Sequence, residues 1–212
     1  MSAPGRRTAR LAALSGIVLV PLIILLLDRP VSSWAAATTR GIAIFVDLTR
    51  ISEGLLAVSA VVLAAAGLAW LLGWRPGRAG RAVVVACLAA FVSWAAKEEL
   101  KYAFGRTWPE TWTNHNPSWI NDGVFGFFPF HGGNGWASFP SGHTTTISAA
   151  MMVLAYAWPR LRLLWVLPVL LVAIGLIGAD YHFLGDIVAG AYLGAACGAA
   201  MAGLALANEP DR

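Results

Sequence analysis

Charge is scarce in this chain. Asp, Glu, Lys and Arg make up 12% of its 212 residues, about half of the ~25% usual in soluble globular domains. A disordered chain is excluded and a soluble one disfavoured. Cysteine is almost missing: Cys87 and Cys197 both lie in apolar runs, where a thiol acts as a small hydrophobe, so no disulfide framework is expected. Zinc-ligand spacings are lacking as well, with neither paired cysteines nor His-Glu-x-x-His, and no metal or other cofactor is expected. Apolar residues fill the space instead. They make up 58% of the chain, with a mean hydropathy of +0.67, and recur from the first dozen residues to the last. One membrane domain over residues 1–212 is expected.

A spanning helix needs about 20 mostly apolar residues. Segments of that kind read at residues 11–27, 54–73, 81–104, 141–158, 161–179 and 182–207. The expected fold is all-α, a polytopic bundle of six transmembrane helices. The first segment follows Arg6, Arg7 and Arg10 and runs into Asp28, Arg29 and Pro30 without a small-residue cleavage site, so it reads as a retained helix rather than a signal peptide. A net charge of +4 would suggest nucleic acid in a soluble protein, but here the basic residues sit between apolar runs. Arg6, Arg7 and Arg10, then Arg75, Arg78 and Arg81, then Arg160 and Arg162 fall on one side of a six-helix weave. The positive-inside rule makes that side, with both termini, cytoplasmic. No nucleic-acid partner is expected.

The opposite side receives residues 28–53, the loop 105–140 and the bend at Asp180 and Tyr181. Residues 31–53 mix Arg40, Asp47, Arg50 and Glu53 with Trp34, Ile42, Ile44, Phe45 and Ile51 and read as an interfacial amphipathic helix. The loop is too long to be a plain connection. Trp108, Trp112, Trp119, Phe125, Phe127, Phe128, Phe130 and Trp136 give it the composition of an aromatic cap at the membrane surface. In the last segment Gly190, Gly194 and Gly198 share one helical face, which suits close packing inside the bundle, with a homodimer seam as the alternative use.

Ionisable residues at membrane-facing positions are functional candidates, and they gather in three places on the outer side. His182 and Asp186 are four apart, so the carboxylate can take a hydrogen bond from Nδ1 and leave Nε2 free as a nucleophile. An ordinary ion pair at a helix start has the same spacing. Pro140, Ser141, Gly142 and His143 open an apolar segment, with Ser141 as N-cap, free backbone N–H groups for an anion and His143 placed to donate a proton. A plain helix cap would look alike. Lys97 and Lys101, followed by Arg106, can neutralise a phosphoryl group, although snorkelling to the interface is the preferred reading for Lys97. His115 and His131 read as polar parts of the cap.

Lys101 with Pro109, Pro140-Ser141-Gly142-His143, and His182 with Asp186 closely resemble the motifs of the type 2 phosphatidic acid phosphatase superfamily, integral-membrane lipid phosphatases related to vanadium haloperoxidases. The motif-bearing part covers residues 97–190. The resemblance implies a metal-independent phosphatase that acts on a lipid phosphomonoester or pyrophosphate in a bacterial inner membrane, with the site facing the outer leaflet. It makes His182 the nucleophile, Asp186 its orienting carboxylate and His143 the proton donor, with Lys101, Ser141 and Gly142 binding phosphate. Two family positions depart. Trp108 stands where an arginine precedes Pro109, and Gly175-Leu176 stand where the family has Ser-Arg. Arg106 and Lys97 are the candidates to replace the missing charges. A lipid phosphotransferase, a catalytically silent lipid-phosphate binder and a transporter are the rival readings, the last weakened by the absence of a repeat relating the two halves.

Overall fold

The computed structural model describes residues 3–112 and 115–206, with side chains from residue 14 onward. The side chains of Arg6, Arg7 and Arg10, on which part of the orientation reading rests, and residue Ala207 lie outside that description. Among the described residues regular structure is helical, with isolated bridges in place of strands. The elements are α1 (Ala3–Leu26), α2 (Asp28–Thr38), α3 (Ala43–Leu71), α4 (Arg78–Phe104), the single turn α5 (Trp119–Asp122), α6 (Gly142–Ala157), α7 (Arg162–Gly178) and α8 (Leu184–Leu206).

Helices stand at all six expected places, but not all of them are long enough to span. Among the described residues four segments are long and apolar enough to cross a membrane, Ala43–Leu71, Arg78–Phe104, Pro159–Gly178 and Leu184–Leu206, and the α1–α2 pair, bent by 54°, makes a fifth if counted as one broken span. The bend falls at Leu27. Pro30 lies in the first turn of α2, where its missing N–H costs nothing. α6 has 16 residues, or about 24 Å, shorter than the ~30 Å hydrocarbon core. It is the central helix, packed by α4, α7 and α8, and residues 144–150 are all buried.

The expected interfacial helix over 31–53 is divided. Its first part is α2, while residues 43–53 are the opening turns of α3 and run straight into the apolar segment. Asp47 and Arg50 pair across one of those turns at 2.7 Å, so this polar stretch is helical without needing a separate element. The difference matters because it carries Glu53 towards α6.

Close approach of α6 and α8 depends on glycine. A Cβ at Gly190 would lie 2.5 Å from the Ser141 carbonyl oxygen, one at Gly194 2.1 Å from that of Thr145, and one at Gly198 2.3 Å from that of Ala149. The stripe is thus occupied inside the chain, which overturns its use as a homodimer seam. Elsewhere the core is built from small side chains, Ala89 and Ala90 of α4 against Ala149, Ala150 and Val153 of α6, while large apolar residues such as Leu163 and Leu204 face outward. This is the reverse of a water-soluble bundle and is what a lipid solvent selects.

The arginine-bearing connections α3–α4 and α6–α7 lie at one end of the bundle. At the other end are the close of α4, the start of α6 and the turn from α7 into α8.

Candidate active site

The turn from α7 into α8 is set by backbone chemistry. Asp180 adopts a left-handed φ of 56°; its N–H donates to the Ile177 carbonyl at 3.0 Å and that of Tyr181 to Leu176 at 2.9 Å, the pairing of a Schellman motif. The chain then crosses residues 181–183 before α8 starts at Leu184. His182 therefore precedes the helix instead of forming its first turn, as the spacing suggested. Asp186 reaches back to accept the Phe183 N–H at 3.2 Å, half of a capping box, and this places its Oδ2 3.4 Å from Nδ1 of His182. Ser138 completes the contact, its hydroxyl donating to Asp186 Oδ2 at 2.5 Å and lying 3.4 Å from the same imidazole nitrogen. Nε2 is left as the unengaged nitrogen. Burial holds the His182 imidazole well below its usual range, at about 4, against the opposing pull of Asp186, so the ring is neutral and its lone pair available.

Aromatic rings of the cap clamp this turn residue by residue. Trp112 meets Tyr181 at 4.5 Å, Trp108 meets His182 at 5.0 Å and Phe125 meets Phe183 at 5.1 Å between ring centres. The expected cap is thus present, and it is ordered by α5 and by bridges from Arg106 to Phe127 and Ala137.

The start of α6 supplies the second histidine. The His143 and His182 ring centres are 6.3 Å apart. His143 Nε2 lies 3.5 Å from Glu53 Oε1, a partner that sequence reasoning missed because Glu53 read as part of a surface helix. Ser141 occupies the N-cap position, but its side chain makes no capping bond. Its N–H donates to the Asp186 carbonyl at 3.0 Å and ties α6 to α8, while its hydroxyl is buried without a hydrogen-bond partner. Gly142 leaves room for its neighbour: a Cβ there would meet the outer end of the Lys97 side chain at 2.7 Å, so that flexible chain would have to shift. Lys97 accordingly lies along the opening of α6, buried and paired with Glu98, rather than snorkelling. Lys101 extends its ammonium over the Trp108 ring at 5.8 Å.

Arg106 is a correction. Expected as a replacement phosphate clamp, it has no exposed surface and both arms are engaged, one by Asp28 at 2.6 Å and the other by Asp186. Gly105 causes this. It closes α4 with φ 58°, and a Cβ there would fall 1.8 Å from the Phe128 carbonyl oxygen, so the chain turns inward and carries the next side chain into the protein. The family arginine positions are filled by non-ionic packing: Trp108 lies on His182, Leu176 is in the core, and Gly175 lets α7 approach the α3 backbone, where a Cβ would meet the Phe45 carbonyl oxygen at 2.7 Å. Asp28 and Ser138 were also missed. Asp28 read as a membrane exit, and Ser138 belongs to no spacing pattern.

Among the described residues no cluster of three His, Cys, Asp or Glu side chains could hold a metal. His115 and His131 stand apart, both exposed.

Asp180 is buried, with Oδ2 lacking a hydrogen-bond partner. Burial pushes its carboxyl up to about 7, only partly opposed by Ser32 and Arg40. The native state therefore binds an extra proton between the unfolded value near 3.8 and about 7, and stability falls as pH rises across that window. Asp180→Asn keeps a residue that tolerates left-handed φ and should raise Tm more at pH 8 than at pH 5. Thermal unfolding of the detergent-solubilised protein at the two pH values checks this, and an equal change at both would reject it.

The fold and site describe a helical membrane protein with two histidines and two lysines gathered at one end of the bundle. The chain belongs to the PAP2 superfamily, whose model it matches over residues 78–209. It is 32% identical over 96 residues to the lipid A 1-phosphatase of Rhizobium johnstonii, covering 45% of this chain and 36% of that protein. It is 32% identical over 95 residues to the lipid A 1-phosphatase of Rhizobium etli, covering 45% and 38%. The match thus spans little more than a third of the length of these curated relatives. In fold it is similar to a transmembrane PAP2-type phosphatidylglycerolphosphate phosphatase from Bacillus subtilis, with a TM-score of 0.66, 17% identity and coverage of 96% and 98% of the two chains.

Proposed function

We propose that this protein is a lipid phosphatase of the bacterial inner membrane that hydrolyses a lipid phosphomonoester or pyrophosphate at the outer leaflet through a phosphohistidine. The observation that carries the reading is the approach of the His143 and His182 rings to 6.3 Å, close enough for both to reach one phosphoryl group. The His182 Nε2 lone pair attacks phosphorus, and the bond to the lipid oxygen breaks. The leaving oxygen takes the bond electrons and a proton from His143. Water then gives a proton to His143 and attacks phosphorus, breaking the phosphorus–nitrogen bond and returning its electrons to Nε2. Lys97, Lys101 and the N-terminus of α6 would hold the phosphoryl oxygens, one of which would give the Ser141 hydroxyl its missing partner. No metal is needed in this sequence of steps.

The carboxyl ends of α4 and α7 and the start of α6 face away from the arginine-bearing connections, which supports an outer-leaflet site with cytoplasmic termini. Phosphate release should be measured from lipid A, phosphatidylglycerol phosphate, phosphatidic acid and undecaprenyl pyrophosphate. Turnover of at least one, undiminished by prior dialysis against EDTA, is expected, with lipid A first among them on the strength of the two relatives. Turnover of none would favour the silent lipid-phosphate binder, the reading suggested by Trp108 and Leu176 at the family's arginine positions.

A further inference from the structure

Asp28, Arg106 and Asp186 form an ion triad whose side chains have no exposed surface. Arg106 Nη2 donates to Asp28 Oδ2 at 2.6 Å, and Nη1 donates to Asp186 Oδ1. The other Asp28 oxygen accepts the Gly185 N–H at 2.6 Å. Phe183, the residue before α8, has no side-chain acceptor to cap that helix, so Asp28 does so from the α1–α2 bend. Gly185 makes this contact possible, since a Cβ there would lie 2.5 Å from Ile24 and 3.0 Å from Asp28. Phe125, Phe127, Phe139 and Phe183 enclose the guanidinium at 4.5–6.0 Å and keep water out.

Stability is a poor reason to keep such a group, because a buried ion network is commonly matched or bettered by apolar residues of the same volume. Its effect on Asp186 is specific. Without Arg106, two buried carboxylates would face each other and one would take up a proton; on Asp186 that proton would end its service as acceptor to His182. Without Asp28, Arg106 would spend its whole charge on Asp186 and weaken it as an acceptor. We infer that Asp28 and Arg106 are positioning residues that set the charge and direction of the Asp186 carboxylate, and through it His182, thereby coupling the α1–α2 bend to the reaction centre. This inference rests on the phosphatase reading above.

Asp28→Asn and Arg106→Met each unbalance the triad, whereas the double variant leaves the same net charge as the native three. In the purified full-length protein each single change should lower kcat about 10- to 100-fold with KM within about twofold, and the double should recover at least about tenfold over the worse single. Kinetics are read on whichever of the four lipids named above is turned over fastest. Arg106→Lys keeps the charge and should stay within about tenfold of wild type, which guards against a misfolded Arg106→Met. A second readout needs no turnover. In 15N-histidine-labelled protein, with the His182 signal assigned by its loss in His182→Ala, wild type should carry the proton on Nδ1; each single variant should lose that tautomer and the double should regain it. Wild-type 15N shifts and kcat in both single variants, or losses that simply add in the double, would overturn the inference. Failure of wild type to cleave any of the lipids would reject the phosphatase reading, and the 15N shifts would still decide for or against the triad.

Discussion

Replacing His182 by alanine is expected to lower phosphate release by about four orders of magnitude or more and to abolish an acid-labile, base-stable protein phosphate on rapid quenching with labelled lipid. The geometry makes the effect large. Nδ1 is turned to Asp186 and Ser138, both at or within 3.4 Å, and burial holds the ring neutral down to about pH 4, so the second nitrogen is a ready nucleophile that water cannot replace in place. The variant should fold, because His182 lies in the turn before α8 and not within a helix, and its side chain meets Trp108, Ser138 and Asp186 at one end of the bundle. A correctly folded His182→Ala protein that retained phosphate release within about tenfold of wild type would reject the nucleophile. The same quench separates an enzyme from a silent binder: wild type should carry the labelled phosphate, and a binder would carry none.

How much of this was legible in the sequence depended on the range of the interactions concerned. Apolar run length marked out the long helices, because a spanning helix satisfies its backbone internally and is therefore a local matter. Local too were the glycine stripe and the spacing of His182 to Asp186. What could not be read were contacts between distant segments. Glu53 meets His143 across 90 positions, and Ser138 meets Asp186 across 48. Arg106 is the instructive case. Its charge and place in the chain suited a phosphate clamp, and the glycine at 105, which takes a left-handed φ, was the one local sign that the chain turns there. Its destination was set by Asp28, 78 positions away, a residue that by itself looked like the end of a membrane span. A carboxylate that terminates an apolar run can thus be an internal partner, and only tertiary structure distinguishes the two uses.

The second large effect is expected at His143, and its size should depend on the leaving group. General acid catalysis is worth about 10²- to 10⁴-fold when the departing oxygen is strongly basic, as a sugar or glycerol alkoxide is. His143→Ala should lose activity in that range on a lipid phosphomonoester. An aryl phosphate such as p-nitrophenyl phosphate expels a weakly basic oxygen that needs no proton, so phosphorylation of His182 should be nearly unimpaired with that substrate. The following step still requires a base to activate water, and the same variant should therefore accumulate phosphohistidine after a burst of nitrophenol. Exchanging the two roles predicts the opposite, with no covalent species in His143→Ala and a trapped one in His182→Ala. The geometry favours the first assignment: His182 is buried and directed by a carboxylate that four donors hold in place, the Ser138 hydroxyl, the Phe183 N–H, Arg106 and His182 itself. His143 is the more accessible ring, and its partner Glu53 is exposed, the situation of a group that must exchange protons with water at every turnover. Burst kinetics with the two classes of leaving group would therefore identify both histidines in one experiment, and equal losses on lipid and aryl substrates with no burst would remove His143 as the proton donor.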